Sequence, residues 1–145
     1  MIKRLVLAAA IAALGITAVI AQSDPIAARK AIMKSNGQQL GVLRDMVQGK
    51  KPFDAAAAHA AFASFAEVSD KIKPLFPDSS KTGDTDALPA IWENKADFEA
   101  KLAKFSADAK AADAKVKDLD SLKTEMAEFP KNCGGCHNLY RKKQS

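Results

Sequence analysis

Two cysteines and a histidine near the end of the chain are the residues best suited to carry chemistry. The 145-residue sequence contains only two cysteines, and both lie in the run Cys133-Gly134-Gly135-Cys136-His137. This Cys-x-x-Cys-His spacing is the attachment signature of a c-type haem, in which both thiols bind the porphyrin and the histidine becomes an axial iron ligand. Residues three and four apart share one face of a helix, so these side chains can reach one flat cofactor. The sequence therefore predicts one covalently attached haem c, with His137 as a metal ligand.

The same residues fit three other kinds of site less well. A disulfide between the two cysteines would close a very short loop and contribute little stability. A thioredoxin-like redox pair belongs with alternating strands and helices, and the sequence has no such pattern. A structural zinc ion needs four ligands, whereas the chain offers two cysteines and two histidines, and His59 stands at no recognisable ligand spacing. Haem attachment is therefore favoured over all three.

The first 21 residues have the layout of a secretory signal peptide. Two basic residues precede an apolar run from Leu5 to Ile20, and a small residue follows at Ala21. The apolar run is shorter than the ~20 residues that a membrane span requires. We therefore expect residues 1–21 to be removed, leaving a periplasmic domain over residues 22–145 with no stable membrane span.

The composition excludes several classes of protein. Hydrophobic residues make up 48% of the chain and charged residues 27%, which is typical of a soluble domain and not of a collagen-like or disordered chain. Without the two basic residues of the signal peptide, 20 lysines and arginines face 17 acidic residues, so the net charge falls from +5 to +3. Basic and acidic residues alternate along most of the chain, and no nucleic-acid partner is expected.

Apolar residues recur at helical spacing in four segments beyond residue 24, and strand-like alternation is absent. Because most connections are short, these segments predict an all-α fold, an antiparallel four-helix bundle with the haem motif near its C-terminus. Each segment begins at an N-capping residue or a proline, and the expected starts are Asp24, Asp54, Pro89 and Asp120 or Ser121.

Two features interrupt the regular helical pattern. Residues 78–88 are rich in turn formers and show no periodicity, so they predict a long connection between two helix pairs. Pro130 lies inside the fourth segment, where proline removes a backbone hydrogen bond and clashes with the preceding turn, so we expect a kink or a break there. Beyond it, Cys133 and Cys136 continue the apolar stripe of the fourth helix and should face the core.

The chain resembles the class II cytochromes c, the cytochrome c′ family, whose four-helix bundles carry their haem motif close to the C-terminus. The resemblance covers the mature chain and rests on Arg29-x-x-x-Met33-Lys34, Leu75-Phe76-Pro77, Ile91-Trp92 with Phe98, and Cys133 to Arg141. Residues 33–37 and 49–54 look most like the low-spin, methionine-ligated branch of the family. The resemblance implies that Met33 is the second iron ligand, that Arg29 lies near a haem propionate, and that Trp92 packs beside the haem.

The level of Met33 along the bundle is compatible with that role. In an antiparallel bundle the C-terminal end of the fourth helix lies beside the N-terminal end of the first. At 1.5 Å per residue, His137 lies about 25 Å from Asp120 and Met33 about 24 Å from Gly49, whereas the other two methionines of the mature chain lie at other levels. The alternative, that Met33 is a core methionine filling space against the haem, stays open.

These features predict a periplasmic one-electron carrier rather than an enzyme, since the sequence offers no nucleophile–base or acid pair. The alternative is a five-coordinate cytochrome c′ that binds nitric oxide or carbon monoxide, with Met33 only lining the open side. Lys131, Arg141, Lys142 and Lys143 surround the motif and predict docking of acidic redox partner proteins. The sequence leaves open whether the bundle forms a homodimer.

Overall fold

The computed structural model describes residues 24–143, so the predicted signal peptide lies outside the described residues. Its α-helices are α1 (Pro25–Val47), α2 (Ala55–Ala66), α3 (Val68–Ile72), α4 (Ala90–Glu93), α5 (Lys95–Lys115), α6 (Leu119–Glu128) and α7 (Lys131–Tyr140). They form four bundle helices, namely α1, α2 with α3, α4 with α5, and α6 with α7, which confirms the predicted all-α bundle. None of the helices between residues 24 and 143 is long and apolar enough to cross a membrane.

Capping side chains determine where the bundle helices begin. The carboxylates of Asp24 and Asp54 each accept a backbone N–H of the first turn, at 2.9 and 3.0 Å, so both predicted caps are confirmed. The predicted start of the fourth bundle helix at Asp120 or Ser121 was wrong, because Asp118 caps α6. Asp118 accepts the backbone N–H of Ser121 while the Ser121 hydroxyl accepts the backbone N–H of Asp118. This capping box satisfies two backbone donors at once, which favours the earlier start.

The break between α6 and α7 at Pro130 confirms the predicted interruption of the fourth bundle helix. At the proline, two backbone hydrogen bonds join residues three apart, from Asn132 N–H to Phe129 O and from Cys133 N–H to Pro130 O, both 3.1 Å. The Asn132 side chain also donates to Asp108 on α5 at 2.9 Å. The start of α7 is therefore fixed against the third bundle helix.

The buried apolar residues form two clusters. The lower cluster, near the α1–α2 connection, contains Leu43, Met46, Ala58, Ala61, Phe62, Phe65, Ala109, Ala112, Val116, Leu122 and Phe129. The upper cluster, near α4 and the end of α7, contains Val68, Ile72, Ile91, Phe98, Leu102 and Tyr140. Phe105 packs against both clusters. Burial of a large apolar side chain stabilises the fold by about 1.5–3 kcal/mol, so these clusters hold the bundle together.

The predicted long connection between the helix pairs is an ordered loop. It contains a short 3-10 turn at Asp78–Ser80 and an isolated antiparallel bridge between Ala87 and Arg141. Gly83 has a φ of +114°, and a Cβ at this position would lie 3.1 Å from Ile26 Cδ1. Glycine therefore lets the loop pass close to α1.

Candidate haem-binding site

Two neighbouring cavities, with walls from all four bundle helices, share part of their lining. The upper cavity has a volume of about 270 Å³ and the lower cavity about 330 Å³. Both are lined by Met33, Leu102, Cys136, His137 and Arg141. Taken together, they fall within the size range of cofactor pockets, about 300–1,000 Å³. The remaining walls are mostly apolar and come from both core clusters.

The two cysteines of α7 are not joined in a disulfide, and both are half-buried. Cys136 lines both cavities, and Cys133 lines the lower one. Burial raises the pKa of both thiols above the usual value. A redox-active Cys-x-x-Cys pair needs a lowered pKa instead, so the surroundings disfavour a thioredoxin-like function. The two thiols, one helical turn apart, fit a cofactor that bonds to both.

His137 is half-buried on the same face of α7 and lines both cavities. Burial lowers its pKa, and the positive charge of Arg141 lowers it further. The neutral imidazole is therefore favoured, which is the form that binds a metal ion. Arg141 itself lines both cavities, although sequence reasoning counted it only among the basic residues around the motif. Its spacing of four residues from His137 is the signal that could have found it.

Met33 lies on α1 and lines the same two cavities as His137, with 37% of its surface exposed. Met46 is 2% exposed inside the lower cluster, and Met126 packs against that cluster without lining either cavity. Among the described residues, Met33 is thus the methionine that shares a cavity with His137. The fourth bundle helix is capped by Asp118, two residues before Asp120, which adds about 3 Å to the height of His137 counted from the start of that helix. Met33 and His137 still lie at similar heights along the bundle.

Arg29 is buried, with 5% of its surface exposed, and lines the upper cavity. Its guanidinium donates to Leu75 O at 3.1 Å, to the hydroxyl and carbonyl oxygens of Ser80 at 2.9 and 3.2 Å, and to Thr85 Oγ1 at 3.2 Å. Burial lowers the pKa of Arg29, and the charge of Asp24 opposes that effect. Within residues 24–143, no carboxylate lies at ion-pair distance from this cation. A carboxylate of a bound cofactor would supply a negative charge here.

Trp92 is half-buried but lines neither cavity. Its indole N–H donates to Phe76 O at 3.1 Å, and its ring meets the Phe76 ring edge to face at 5.8 Å. Phe76 in turn lines the upper cavity and carries the Arg29 guanidinium 4.5 Å from its ring centre. A buried indole N–H needs an acceptor, which turns Trp92 toward the Phe76 carbonyl. Phe76 is therefore the member of this aromatic pair that lines the upper cavity, and Trp92 packs behind it.

His59, the second histidine of the chain, is exposed on α2. Its Nδ1 lies 2.7 Å from a carboxylate oxygen of Asp113 on α5. Neither cavity includes it among its lining residues. His59 is therefore a residue of the helix surface.

Comparison with known proteins identifies the class of this cytochrome-like site. Residues 24–141 match the family model of cytochrome c′. Cytochrome c′ of Rhodopseudomonas palustris is 42% identical over 143 residues, covering 98% of each chain. Cytochrome c-556 of the same organism is 36% identical over 146 residues, covering 97% of this chain and 98% of that protein. The solved structure of R. palustris cytochrome c′ superposes with a TM-score of 0.81 at 44% identity, covering 86% of this chain and 100% of that one.

The chain therefore belongs to the cytochrome c′ family, the class II cytochromes c. It is a c-type cytochrome of electron transfer with a single covalently attached haem c. The residues present fit this cofactor, because two thiols and a neutral imidazole reach mostly apolar cavities from one face of α7. Relatives named cytochrome c′ and cytochrome c-556 both match this chain, so their names do not assign its second iron ligand.

Proposed function

We propose that this cytochrome is a one-electron carrier in which His137 and Met33 bind the haem iron from opposite faces. The observation that carries the proposal is that these two side chains, from the first and last bundle helices, line the same two cavities. The haem supplies the one-electron couple, and a methionine partner raises its reduction potential. With an imidazole on one face and a thioether on the other, small molecules are kept from the iron.

The remaining site residues hold and orient the cofactor in this proposal. Cys133 and Cys136 anchor it covalently to α7. Arg29 presents a cation at the upper cavity without a protein carboxylate beside it, which suits a haem propionate. Trp92 acts at one remove, because its hydrogen bond holds the backbone of Phe76, which lines the cavity.

We further propose that the mature protein works in the periplasm. The support is the signal-peptide layout of residues 1–21, with a basic start, an apolar run and a small residue at the end. Residues 22–145 would then form the exported haem-binding domain, and redox proteins of the same compartment would be its partners.

One observation favours a second candidate, a five-coordinate protein that binds nitric oxide or carbon monoxide. A solved structure of a cytochrome c′ variant from Alcaligenes xylosoxidans is a nitric oxide complex, and it is 27% identical to this chain with a TM-score of 0.71, covering 82% of this chain and 94% of that one. In that case Met33 would line the open face of the haem without binding the iron. The chain would then trap gas molecules rather than exchange electrons alone.

The absorption spectrum distinguishes the two candidates. A methionine-ligated protein should be low-spin in both oxidation states, with the weak far-red sulfur-to-iron band in the ferric form. Replacing Met33 by Ala should remove the band, produce high-spin haem and accelerate carbon monoxide uptake. Met126→Ala is the matched control, because Met126 is half-buried outside both cavities and its replacement should leave the spectrum unchanged. A parent protein that is high-spin when ferrous and insensitive to Met33→Ala would establish the gas-binding candidate.

A further inference from the structure

The loop between the two helix pairs, residues 77–88, is bound to α1 on one side. The Arg29 guanidinium donates to Ser80 and to the Thr85 hydroxyl. One residue further along α1, Lys30 Nζ lies 2.6 Å from a carboxylate oxygen of Asp84. Arg29 and its partners Ser80 and Thr85 are all buried, so water does not compete for these bonds. The loop is thus held to the turn of α1 that precedes Met33.

The same loop is bound on its other side to the end of α7 and the residues after it. The backbone N–H of Leu88 donates to Tyr140 O at 2.9 Å, and that of Lys142 donates to Asp86 O at 2.8 Å. Lys142 Nζ also donates to Thr85 O at 2.8 Å. These contacts begin three residues after His137. The loop therefore connects the helix that carries Met33 with the helix that carries His137.

Thr85 is the residue at which the two sets of contacts meet. Its hydroxyl oxygen accepts from Arg29 Nη2 at 3.2 Å and from the Ala87 backbone N–H at 3.1 Å, while its carbonyl accepts from Lys142. It is 9% exposed and lines the upper cavity. A single residue thus bonds to one side chain of α1 and to one side chain of the segment that follows α7.

We propose that Thr85 is a positioning residue that sets the spacing between Met33 and His137 and so limits access to the Met33 face of the haem. The inference rests on the proposed haem position between these two residues, but it does not require a bond between Met33 and the iron. Without the Thr85 hydroxyl, a buried guanidinium N–H loses its acceptor, which is costly enough to make the loop rearrange. The Arg29 turn of α1 would then be held to the loop by fewer bonds, and the cavity between α1 and α7 would open more often.

The test uses the haem-loaded protein and three threonine variants. Thr85→Val keeps the shape of the side chain and removes the acceptor, whereas Thr85→Ser keeps the hydroxyl. Thr82→Val changes an exposed residue of the same loop and serves as the matched control. Carbon monoxide association with the ferrous protein should be roughly fivefold faster in Thr85→Val, the factor expected for losing one hydrogen bond. The serine variant and Thr82→Val should keep the parent rate.

Each outcome decides the role of Thr85. An unchanged or slower rate of carbon monoxide association in Thr85→Val would overturn the positioning role of Thr85, even if the unfolding midpoint falls. The loop would then only stabilise the fold. Acceleration in Thr85→Ser or in Thr82→Val would contradict it as well. If the parent protein lacks the far-red band, only the proposed bond between Met33 and the iron is overturned. The comparison of association rates between the parent and Thr85→Val still measures access to the Met33 face of the haem.

Discussion

Met33 on α1 and His137 on α7 line the same two cavities, although they come from opposite ends of the chain. The antiparallel order of the helices explains this placement, because it brings the start of the first bundle helix beside the end of the fourth. Burial and the Arg141 charge lower the pKa of the His137 imidazole and so favour its neutral, metal-binding form. The two cavities therefore bring a nitrogen donor and a thioether together.

A histidine at position 33 should keep the iron six-coordinate and change its reduction potential. Because a methionine ligand raises the potential relative to a second nitrogen ligand, Met33→His should lower the midpoint potential and remove the far-red band while the haem stays low-spin. A spectroelectrochemical titration measures the shift. Met126→His, at a half-buried site outside both cavities, should leave the midpoint unchanged. Equal potentials in parent and Met33→His would contradict ligation by Met33.

Covalent attachment should depend on both thiols of α7. When the protein is made in a host that attaches haem c, the parent should stain for haem peroxidase activity after denaturing electrophoresis. Replacing both Cys133 and Cys136 by Ser should abolish the stain, while either single variant keeps one thioether bond and a weaker stain. A colourless parent band at the mature mass would contradict haem attachment through this motif.

The structure shows which basic residues near the haem motif are already bound to other groups of the protein. Lys131 is paired with Glu128 at 2.6 Å, and Lys142 binds the Thr85 carbonyl. Lys34, which follows Met33 in the chain, and Lys143, two residues after Arg141, are both exposed. These two lysines are therefore the better positions at which to test electrostatic steering.

Reversing these two charges should slow electron exchange with an acidic redox protein at low salt. Lys34→Glu with Lys143→Glu should reduce the second-order rate, and the difference should fade as salt shortens the screening length to about 10 Å at 0.1 M. Stopped-flow reduction at several ionic strengths measures both effects. The charge-matched control is Lys50→Glu with Lys51→Glu, in the exposed α1–α2 connection at the far end of the bundle. Equal slowing by both pairs would show an effect of net charge and no docking surface.

Tyr140 ties the last turn of α7 to the third bundle helix. Its phenol donates to an Asp97 carboxylate oxygen at 2.5 Å, and its ring packs edge to face on Phe98 at 5.3 Å. Removing the hydroxyl in Tyr140→Phe keeps the ring packing and should cost about 1 kcal/mol of the free energy of unfolding at neutral pH. Urea unfolding followed by circular dichroism measures the loss. No loss would mean that the hydrogen bond contributes nothing net.

The same bond predicts a pH dependence at the alkaline end. The hydrogen bond to Asp97, followed by burial, raises the pKa of Tyr140 to about 12. The Tyr140 phenol therefore stays protonated in the folded state at pH values at which the phenol of the unfolded state, with a pKa of about 10, has lost its proton. The stability that the phenol contributes is fully present below about pH 10 and is lost as the pH rises toward 12. The difference in the free energy of unfolding between the parent and Tyr140→Phe should shrink over this range. A difference that stays constant would contradict the raised pKa of Tyr140.

Local signals made much of the fold predictable from the sequence. Proline at position 130 lacks a backbone N–H whatever surrounds it, and aspartates at 24 and 54 cap the turns that follow them directly. The Cys-x-x-Cys-His spacing likewise needs only one turn of helix to present three side chains on one face. The same local reasoning went wrong at the start of α6, where Asp120 or Ser121 was the expected cap, because Asp118 caps the helix through reciprocal bonds with Ser121.

The site beyond the motif was decided by contacts between residues far apart in the chain. Helical periodicity places Arg29 on a face of α1, but its acceptors, Ser80 and Thr85, come from a loop whose path depends on how both helix pairs pack. The contact of Thr85 with Lys142 has the same origin. The hydrogen bond from the Trp92 indole to the Phe76 carbonyl likewise joins residues that are distant in the chain. Capping and periodicity act within one or two helical turns and can be read from sequence, whereas partners for buried polar groups exist only once distant segments have packed together.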